Sequence, residues 1–443
     1  MLSVKKLSHA SLEIGGWGGT LVTDPWFEGS AFADSWELCE PPAVGSYDAL
    51  SACTYLWISH GHPDHFSPAT LRKIPPVRRS LMKVLILKSQ SNQPLVSWFE
   101  KHEFEVLQIY PRSLTTLSPG LQIEVGEVHF GDSWMLLSHG DSKILNINDC
   151  VLGPGDLRYL SRKAGKLDLL ALQYGVANWT GNPADYESRR FASMAVLERV
   201  EHYVRKLKPA TVLPFASEFQ FSRFENHHLN DSQNSIMDVV NLLGSIGQET
   251  VLMNNGDTWT RERGPLRCSD APVCSTSSSP RISFSSEASS ASIQPSEFQK
   301  LDSVRRGTVA TFHGRLRASV YRRLFGLFRV GHLVVEVRET QARWTVTMRD
   351  VRPSRLDQDP DFEMSSEMFA ELLGKFYGVD NLFIGGRFIR ISDNALLKLG
   401  VVFGLERLGG MGIKLGVDLL RPALLGSVLR RWRGATANWS KPL

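Results

Sequence analysis

The chain has 443 residues, too many for one ordinary hydrophobic core, so two domains are expected. Hydrophobic residues make up 42% and charged ones 22%, an ordinary globular balance that excludes disorder throughout. A formal charge of +4 is too small at this length to argue for nucleic acid as a partner, and none is expected.

The first residues, MLSVKKLSHASLEI, contain lysines but no continuous apolar run of the kind a secretory signal needs, so export is not expected. No later stretch reaches the roughly 18 uninterrupted apolar residues of a membrane span. The nearest, 395–430, is broken by Lys398, Glu406, Arg407, Lys414 and Asp418. Cys39, Cys53, Cys150, Cys268 and Cys274 are scattered without a C-x-x-C pair. That usage fits a reducing compartment, argues against a structural zinc finger and leads to an expected cytoplasmic location.

Along residues 1–262, short apolar runs alternate with turns and helical stretches. GGWGG, at 15–19, lacks the spacing and following helix of a dinucleotide fingerprint and predicts a hairpin turn. TLVTDPW, YLWISH, KVLILK, EVLQIY, KILNIND, LDLLALQYG and ATVLPFA end in polar residues or glycine, as buried strands do. PATLRKI, NQPLVSWFEKHE and DYESRRFASMAVLERVEHYVRKLK carry helical spacing; in the last, Phe191, Met194, Leu197 and Val204 fall near one apolar face. Interleaved strands and helices predict an α/β or layered αββα domain. Residues 263–300 are dense in Ser, Pro and Ala and predict a flexible linker. In 301–443, HLVVEVRETQARWTVTMRD reads as a hairpin around ETQAR, and SSEMFAELLGKFYG as an amphipathic helix opened by a serine cap. A smaller α+β domain follows from that order. The tail, LLRPALLGSVLRRWRGATANW, sets Arg421, Arg430, Arg431 and Arg433 beside Leu and Trp. Such a helix either lies on an anionic membrane surface, a peripheral contact, or packs its apolar face on its own domain.

The densest chemistry is WISHGHPDHF at 57–66. His60 and His62 are one residue apart at a predicted strand end, so their rings can point to one side; Asp64 and His65 lie on the turn that follows. Neutral imidazoles and a carboxylate are ligands for zinc, iron or manganese. This H-x-H-x-D-H stretch resembles, without mismatch, the signature of the metallo-β-lactamase superfamily. The resemblance implies a four-layer αββα sandwich with a mono- or dinuclear metal centre at the sheet ends. It also implies a supporting role for Asp24 in LVTDPW, a later histidine ligand best matched by His129 in GEVHFGDSW, and a metal-bridging aspartate at Asp149 in KILNINDC. His139 competes with His129, but WMLLSHGDSKILNI reads as a hairpin with His139 at its tip, away from the site. The position that matches the family's last histidine ligand, after FQFS, is taken by Arg223. Either His227 or His228 substitutes, or the second metal is weak or absent; solvent-facing residues at a helix start would account for both histidines equally well.

Three blocks narrow the resemblance: DPWFEGSAFADSWELCEPP (24–42), LLALQYGVANWTGNP (169–183) and LPFASEFQFS (213–222). They are similar to the metallo-β-lactamase-like part of CMP-N-acetylneuraminate hydroxylase and its bacterial relatives. The vertebrate hydroxylase carries a Rieske domain with C-x-H and C-x-x-H ligands, and no such pairs occur here, so hydroxylation by that route is not implied. Residues 362–391 resemble the sterol-carrier-type fold, which implies a lipid-like or acyl ligand, or dimerisation. A core helix followed by an edge strand accounts for the same letters.

The expected activity is metal-dependent hydrolysis of a small-molecule ester or phosphodiester, phosphorylated or acyl-bearing. One or two Zn2+, with Fe or Mn as alternatives, would be held by His60, His62, Asp64, His65, His129, Asp149 and His227 and supply hydroxide as nucleophile. Asp64 and Asp149 are the expected catalytic carboxylates; Tyr174, Trp179 and Arg223 are expected to wall the substrate. Two irons on the same ligands would instead activate dioxygen, with electrons from a separate reductase or ferredoxin. A non-catalytic binding protein is the third reading.

Overall fold

The computed structural model describes residues 2–128, 132–262, 264–266, 293, 295–325, 331–355, 357–375 and 377–410. His129, most of the Ser-rich segment and the tail arginines Arg421, Arg430, Arg431 and Arg433 lie outside the described residues.

Two large sheets face each other. The first has eight strands, in the order Gly264–Leu266, Thr258–Thr260, Ser3–Lys6, Leu12–Gly15, Thr20–Thr23, Tyr55–Ile58, Lys83–Leu87 and Glu105–Ile109, the last four parallel. The second has seven, in the order Glu249–Thr250, Thr211–Pro214, Leu169–Leu172, Ser142–Asn148, Ser133–His139, Leu121–Glu127 and Thr115–Ser118, the first four parallel.

Side chains alternate across each strand, so an uninterrupted apolar run feeds two cores. Tyr55, Trp57, Leu85 and Leu87 point inward and meet Ile123, Val125, Met135 and Leu137 of the facing sheet. Leu56, Ile58, Val84 and Ile86 point outward, onto the helices Ser46–Ala52, Pro68–Arg72 and Gln93–Lys101. Across the molecule Leu145, Leu170 and Val212 meet the helices Pro154–Ala164, Tyr186–Leu207 and Ile236–Ser245. Four αββα layers result, as expected. GGWGG forms the turn joining Leu12–Gly15 to Thr20–Thr23, with Gly16 and Gly18 at φ of 107° and 91°.

The helix Tyr186–Leu207 corrects one expectation. Its buried face is Arg189, Ser193, Val196, Val200, Tyr203, Val204 and Leu207, whereas Phe191 and Met194 are exposed. Arg189 turns inward because Asp231 and the Pro183 carbonyl satisfy its guanidinium.

The C-terminal part has a five-stranded sheet, in the order Val351–Pro353, Ala342–Thr347, His332–Val337, Phe362–Met364 and Phe388–Arg390. Its predicted hairpin is the pair His332–Val337 and Ala342–Thr347. Ser365 caps the helix Ser366–Gly374, accepting from Met368 N at 3.3 Å. That helix buries Met368, Phe369, Leu372 and Leu373, and Phe388–Arg390 is an edge strand. The boundaries of the linker shift: Gly264–Leu266 is a strand of the first sheet, and the helix Pro295–His313 begins within the segment expected to be flexible. The C-terminal part also shares a core with its neighbour. Trp26, Phe32, Trp36, Trp179, Phe219, Phe221 and Leu229 form one cluster with Phe298, Phe362, Phe369, Leu382 and Phe388.

Candidate metal centre

Several strands deliver their ends to one rim of the sandwich. Asp24 follows Thr20–Thr23, His60 and His62 follow Tyr55–Ile58, and Asp149 follows Ser142–Asn148 of the facing sheet. The register of that last strand shifts between Asn146 and Asn148, and Asn148 takes a positive φ of 46°. A local irregularity of this kind re-aims the next side chain. Asp24 is likewise left-handed, at φ 37°.

Asp24 is fully buried and ties the rim together. Its Oδ1 accepts the Ser59 N–H at 2.8 Å; its Oδ2 accepts Ser59 Oγ at 2.8 Å, Asn148 Nδ2 at 3.1 Å and His65 Nδ1 at 3.0 Å. Ser59 Oγ thereby spends its proton on Asp24, so at 3.0 Å it accepts from His60 Nδ1. Both histidines are left with Nε2 facing inward. His65 Nε2 lies 3.3 Å from Asp64 Oδ2 and 3.8 Å from Asp149 Oδ2; His60 Nε2 lies 3.6 Å from Asp149 Oδ2 and 2.8 Å from His62 Nδ1.

Three groups bring ligand atoms within 4.8 Å of one another: His60, His65 and Asp149; His60, His62 and Asp132; His9, Asp64 and His65. His65 Nε2, Asp64 Oδ1, Asp149 Oδ1 and both ring nitrogens of His9 are buried without a hydrogen-bond partner. Each orphaned polar atom costs about 1–3 kcal/mol unless something satisfies it. Imidazole nitrogen and carboxylate oxygen are the donor set of zinc, iron or manganese, so the residues present fit a metal.

The electrostatics agree. Burial lowers the pKa of His60 and His62 and keeps the rings neutral, as ligands must be. Burial also works against a charged His65, but Asp64, Asp149 and Asp24 outweigh it and hold its pKa well above the ordinary value. For Asp64, burial is outweighed by His65 and His9, and its pKa falls well below the usual carboxylate range. Asp149 is lowered too, burial yielding to His60 and His65. The neighbouring Cys150 is pushed far up by burial and stays a thiol.

Other expected residues go elsewhere. His139 ends its strand beside the hairpin turn, opposite Ser142. Tyr174 and Trp179 are 2% and 3% exposed. Rather than walling a substrate, Trp179 stacks on Phe388 at 4.9 Å, and its backbone N–H donates to the Phe383 carbonyl at 2.7 Å. Arg223 is engaged with Asp34, its Nε donating to the carbonyl at 2.9 Å. His227 lines a separate cleft of about 350 Å³ with Phe224, Glu225, His228, Arg338 and Ile389, and His228 Nε2 donates to the Gly181 carbonyl at 3.2 Å. Among the described residues neither histidine belongs to a metal-capable group.

Two residues were missed. Asp132 lies just past the expected ligand His129, a visible signal. His9 gives none: only the folded pairing Glu13↔Val22 brings the turn before Leu12 to the rim that holds Asp24.

Residues 3–132 match a family model described as a beta-lactamase superfamily domain. A Mycobacterium tuberculosis protein described as a Rieske 2Fe-2S iron–sulfur protein is 26% identical over 250 residues, 52% of this chain and 46% of the relative. Cytidine monophosphate-N-acetylneuraminic acid hydroxylase of Xenopus laevis is 23% identical over 293 residues, 60% of this chain and 45% of the relative. The chain thus matches less than half the length of either relative. Isothiocyanate hydrolase from Delia radicum gut bacteria aligns at 13% identity with a TM-score of 0.43, covering 58% of this chain and 98% of that one. The family match, the H-x-H-x-D-H turn and the two facing sheets between helices identify the N-terminal part of this chain as a metallo-β-lactamase-fold domain.

Proposed function

We propose that the protein is a metal-dependent hydrolase acting on an ester or phosphodiester-type substrate. The observation that carries this reading is unbalanced buried charge. Asp24, Asp64 and Asp149 favour protonation of both His60 and His65, and outweigh burial at His65. Three carboxylates against one imidazolium leave negative charge in excess, a cost that a divalent cation would relieve, displacing the proton of His65 as it binds. His60, His62, Asp64, His65 and Asp149 would hold it, with His129 as a further proposed ligand. When bound, the metal supplies Lewis acidity that polarises a substrate oxygen and makes water nucleophilic near neutral pH.

The chain's own groups set up that chemistry. Asp24 fixes His65 and, through Ser59, His60, so that their Nε2 atoms face the reaction space. Asp64 and Asp149 each keep a buried oxygen without a hydrogen-bond partner, and Asp64 takes the proton of the attacking water. His62→Ala is expected to lose the metal that His60 and His62 hold and to lower phosphodiesterase or esterase activity at least a hundredfold. Full metal content and activity in that variant would remove the proposal.

The names of the relatives, a Rieske iron–sulfur protein and a hydroxylase, favour a second reading, di-iron oxygen chemistry fed by a separate reductase or ferredoxin. Iron in the purified protein, with dioxygen uptake in the presence of reductant, decides for it; zinc with hydrolysis decides against.

A further inference from the structure

We infer that His9 is a histidine ligand of a second metal position, which it forms with Asp64, His65 and Asp149. The inference rests on the metal-dependent reading above and adds a residue that the H-x-H-x-D-H stretch does not contain.

His9 lies in the turn Leu7–Ser11 between the strands Ser3–Lys6 and Leu12–Gly15. That turn is fixed from several sides. Leu7 N donates to the Ser11 carbonyl at 2.9 Å, Ser8 Oγ to the Trp26 carbonyl at 3.0 Å and Thr23 Oγ1 to the Ala10 carbonyl at 2.9 Å. The His9 carbonyl accepts the Ala216 N–H at 3.0 Å, which pins it to the strand end of the opposite sheet. The side chain is 1% exposed, enclosed edge-on by Trp26, Phe219 and His65 at ring separations of 5.6, 5.8 and 6.2 Å.

A histidine retained only for packing would place at least one ring nitrogen against a carbonyl or hydroxyl. His9 does this with neither nitrogen. Its Nε2 instead faces Asp64 Oδ2 at 3.5 Å, and that oxygen is 3.3 Å from the orphaned His65 Nε2. A charge-assisted hydrogen bond would close to about 2.7–2.9 Å. Two donor atoms each about 2.1 Å from one ion at a tetrahedral angle stand about 3.4 Å apart. The spacing is that of ligands to a common ion. Asp149 Oδ2, 3.8 Å from His65 Nε2 and 3.6 Å from His60 Nε2, stands between this group and the His60–His62 pair. His9 thus provides the additional histidine for which the sequence offers only Arg223 at the expected place.

The test is metal stoichiometry and affinity of the full chain, stripped by chelator, reloaded with zinc and measured by elemental analysis and chelator competition. His9→Gln keeps a hydrogen-bonding group beside Asp64; His9→Phe keeps a ring among Trp26 and Phe219 without a nitrogen, so the two variants separate ligation from packing. Wild type is expected to hold about two equivalents, and both variants about one, the second binding at least a hundredfold weaker with the first unchanged. His62→Ala should lose the other equivalent and keep the His9-dependent one. Two equivalents at wild-type affinity in His9→Gln would overturn the assignment, as would a single wild-type equivalent insensitive to His9. A wild type that takes up no metal would overturn this inference and the hydrolase proposal together.

Discussion

Asp24 receives four hydrogen bonds on two oxygens while fully buried, and one of the four fixes the tautomer of His65. Asp24→Asn keeps the size but replaces one acceptor with a donor that faces Ser59 or His65. The expected result is a folded protein less stable by about 1–3 kcal/mol, with metal affinity lowered about 10–100-fold, the usual effect of removing a group that orients a ligand. Chelator competition and thermal melts check it; unchanged affinity would mean that the tautomer of His65 is set elsewhere. At this scale the sequence is most informative where candidate ligands are contiguous: four of them fall within His60–His65, on one turn. Asp24 and Asp149 are legible because each ends an apolar run. His9 is not, because a lone histidine among Ser8, Ala10 and Ser11 has no local pattern and acquires meaning only when strand pairing brings it to the rim.

The element least legible is the loop before the strand Trp36–Leu38. Phe32, Ala33 and Asp34 are successive left-handed residues at φ of 53°, 53° and 60°, each costing a non-glycine residue about 1–2 kcal/mol. No letter announces that, since the conformation is imposed by partners far along the chain. Arg387 Nη1 donates to the Ala33 carbonyl at 2.7 Å, Asn226 Nδ2 to the Ser35 carbonyl at 2.9 Å, and Trp36 Nε1 to the Ile384 carbonyl at 3.1 Å. The held loop sets Phe32 edge-on to His62 at 5.8 Å. Arg387→Met would release this clamp and strand Glu225 and Glu367, both now paired with the guanidinium. A loss of about 3 kcal/mol is expected, at the low end for a broken buried pair because Glu367 remains partly in water. Urea unfolding measures it, and a loss under about 1 kcal/mol would mean that the loop holds its shape unaided. On Tyr186–Leu207 the expected inward face holds at Val204 and misses at Phe191 and Met194 for a related reason. Arg189 is buried because Asp231 waits for it, and hydropathy read one residue at a time turns such a helix the wrong way.

At the scale of the whole molecule, the Ser-rich segment suggests two bodies on a tether, yet packing joins them. Trp26, Phe32, Trp36, Trp179, Phe219, Phe221 and Leu229 come from the metallo-β-lactamase-fold part and close one cluster with Phe298, Phe362, Phe369 and Phe388. Composition could not reveal this, because a linker's letters describe its own solvation and not what its flanking domains do to each other. Residues 1–262 alone would leave those seven side chains without their partners. At about 1.5–3 kcal/mol for each large apolar side chain moved back into water, even half of that loss rivals the roughly 5–15 kcal/mol that holds a domain folded. The loop carrying Phe32 would also lose Arg387 and the Ile384 carbonyl, and with them its hold beside His62. The 1–262 fragment is therefore expected to aggregate or melt without cooperativity, and to bind zinc more weakly than the full chain even where it stays in solution. Size-exclusion chromatography, circular dichroism and the same chelator competition measure all three. A monomer with the full chain's melting temperature and zinc affinity would show that the C-terminal part rests on the metal domain without supporting it.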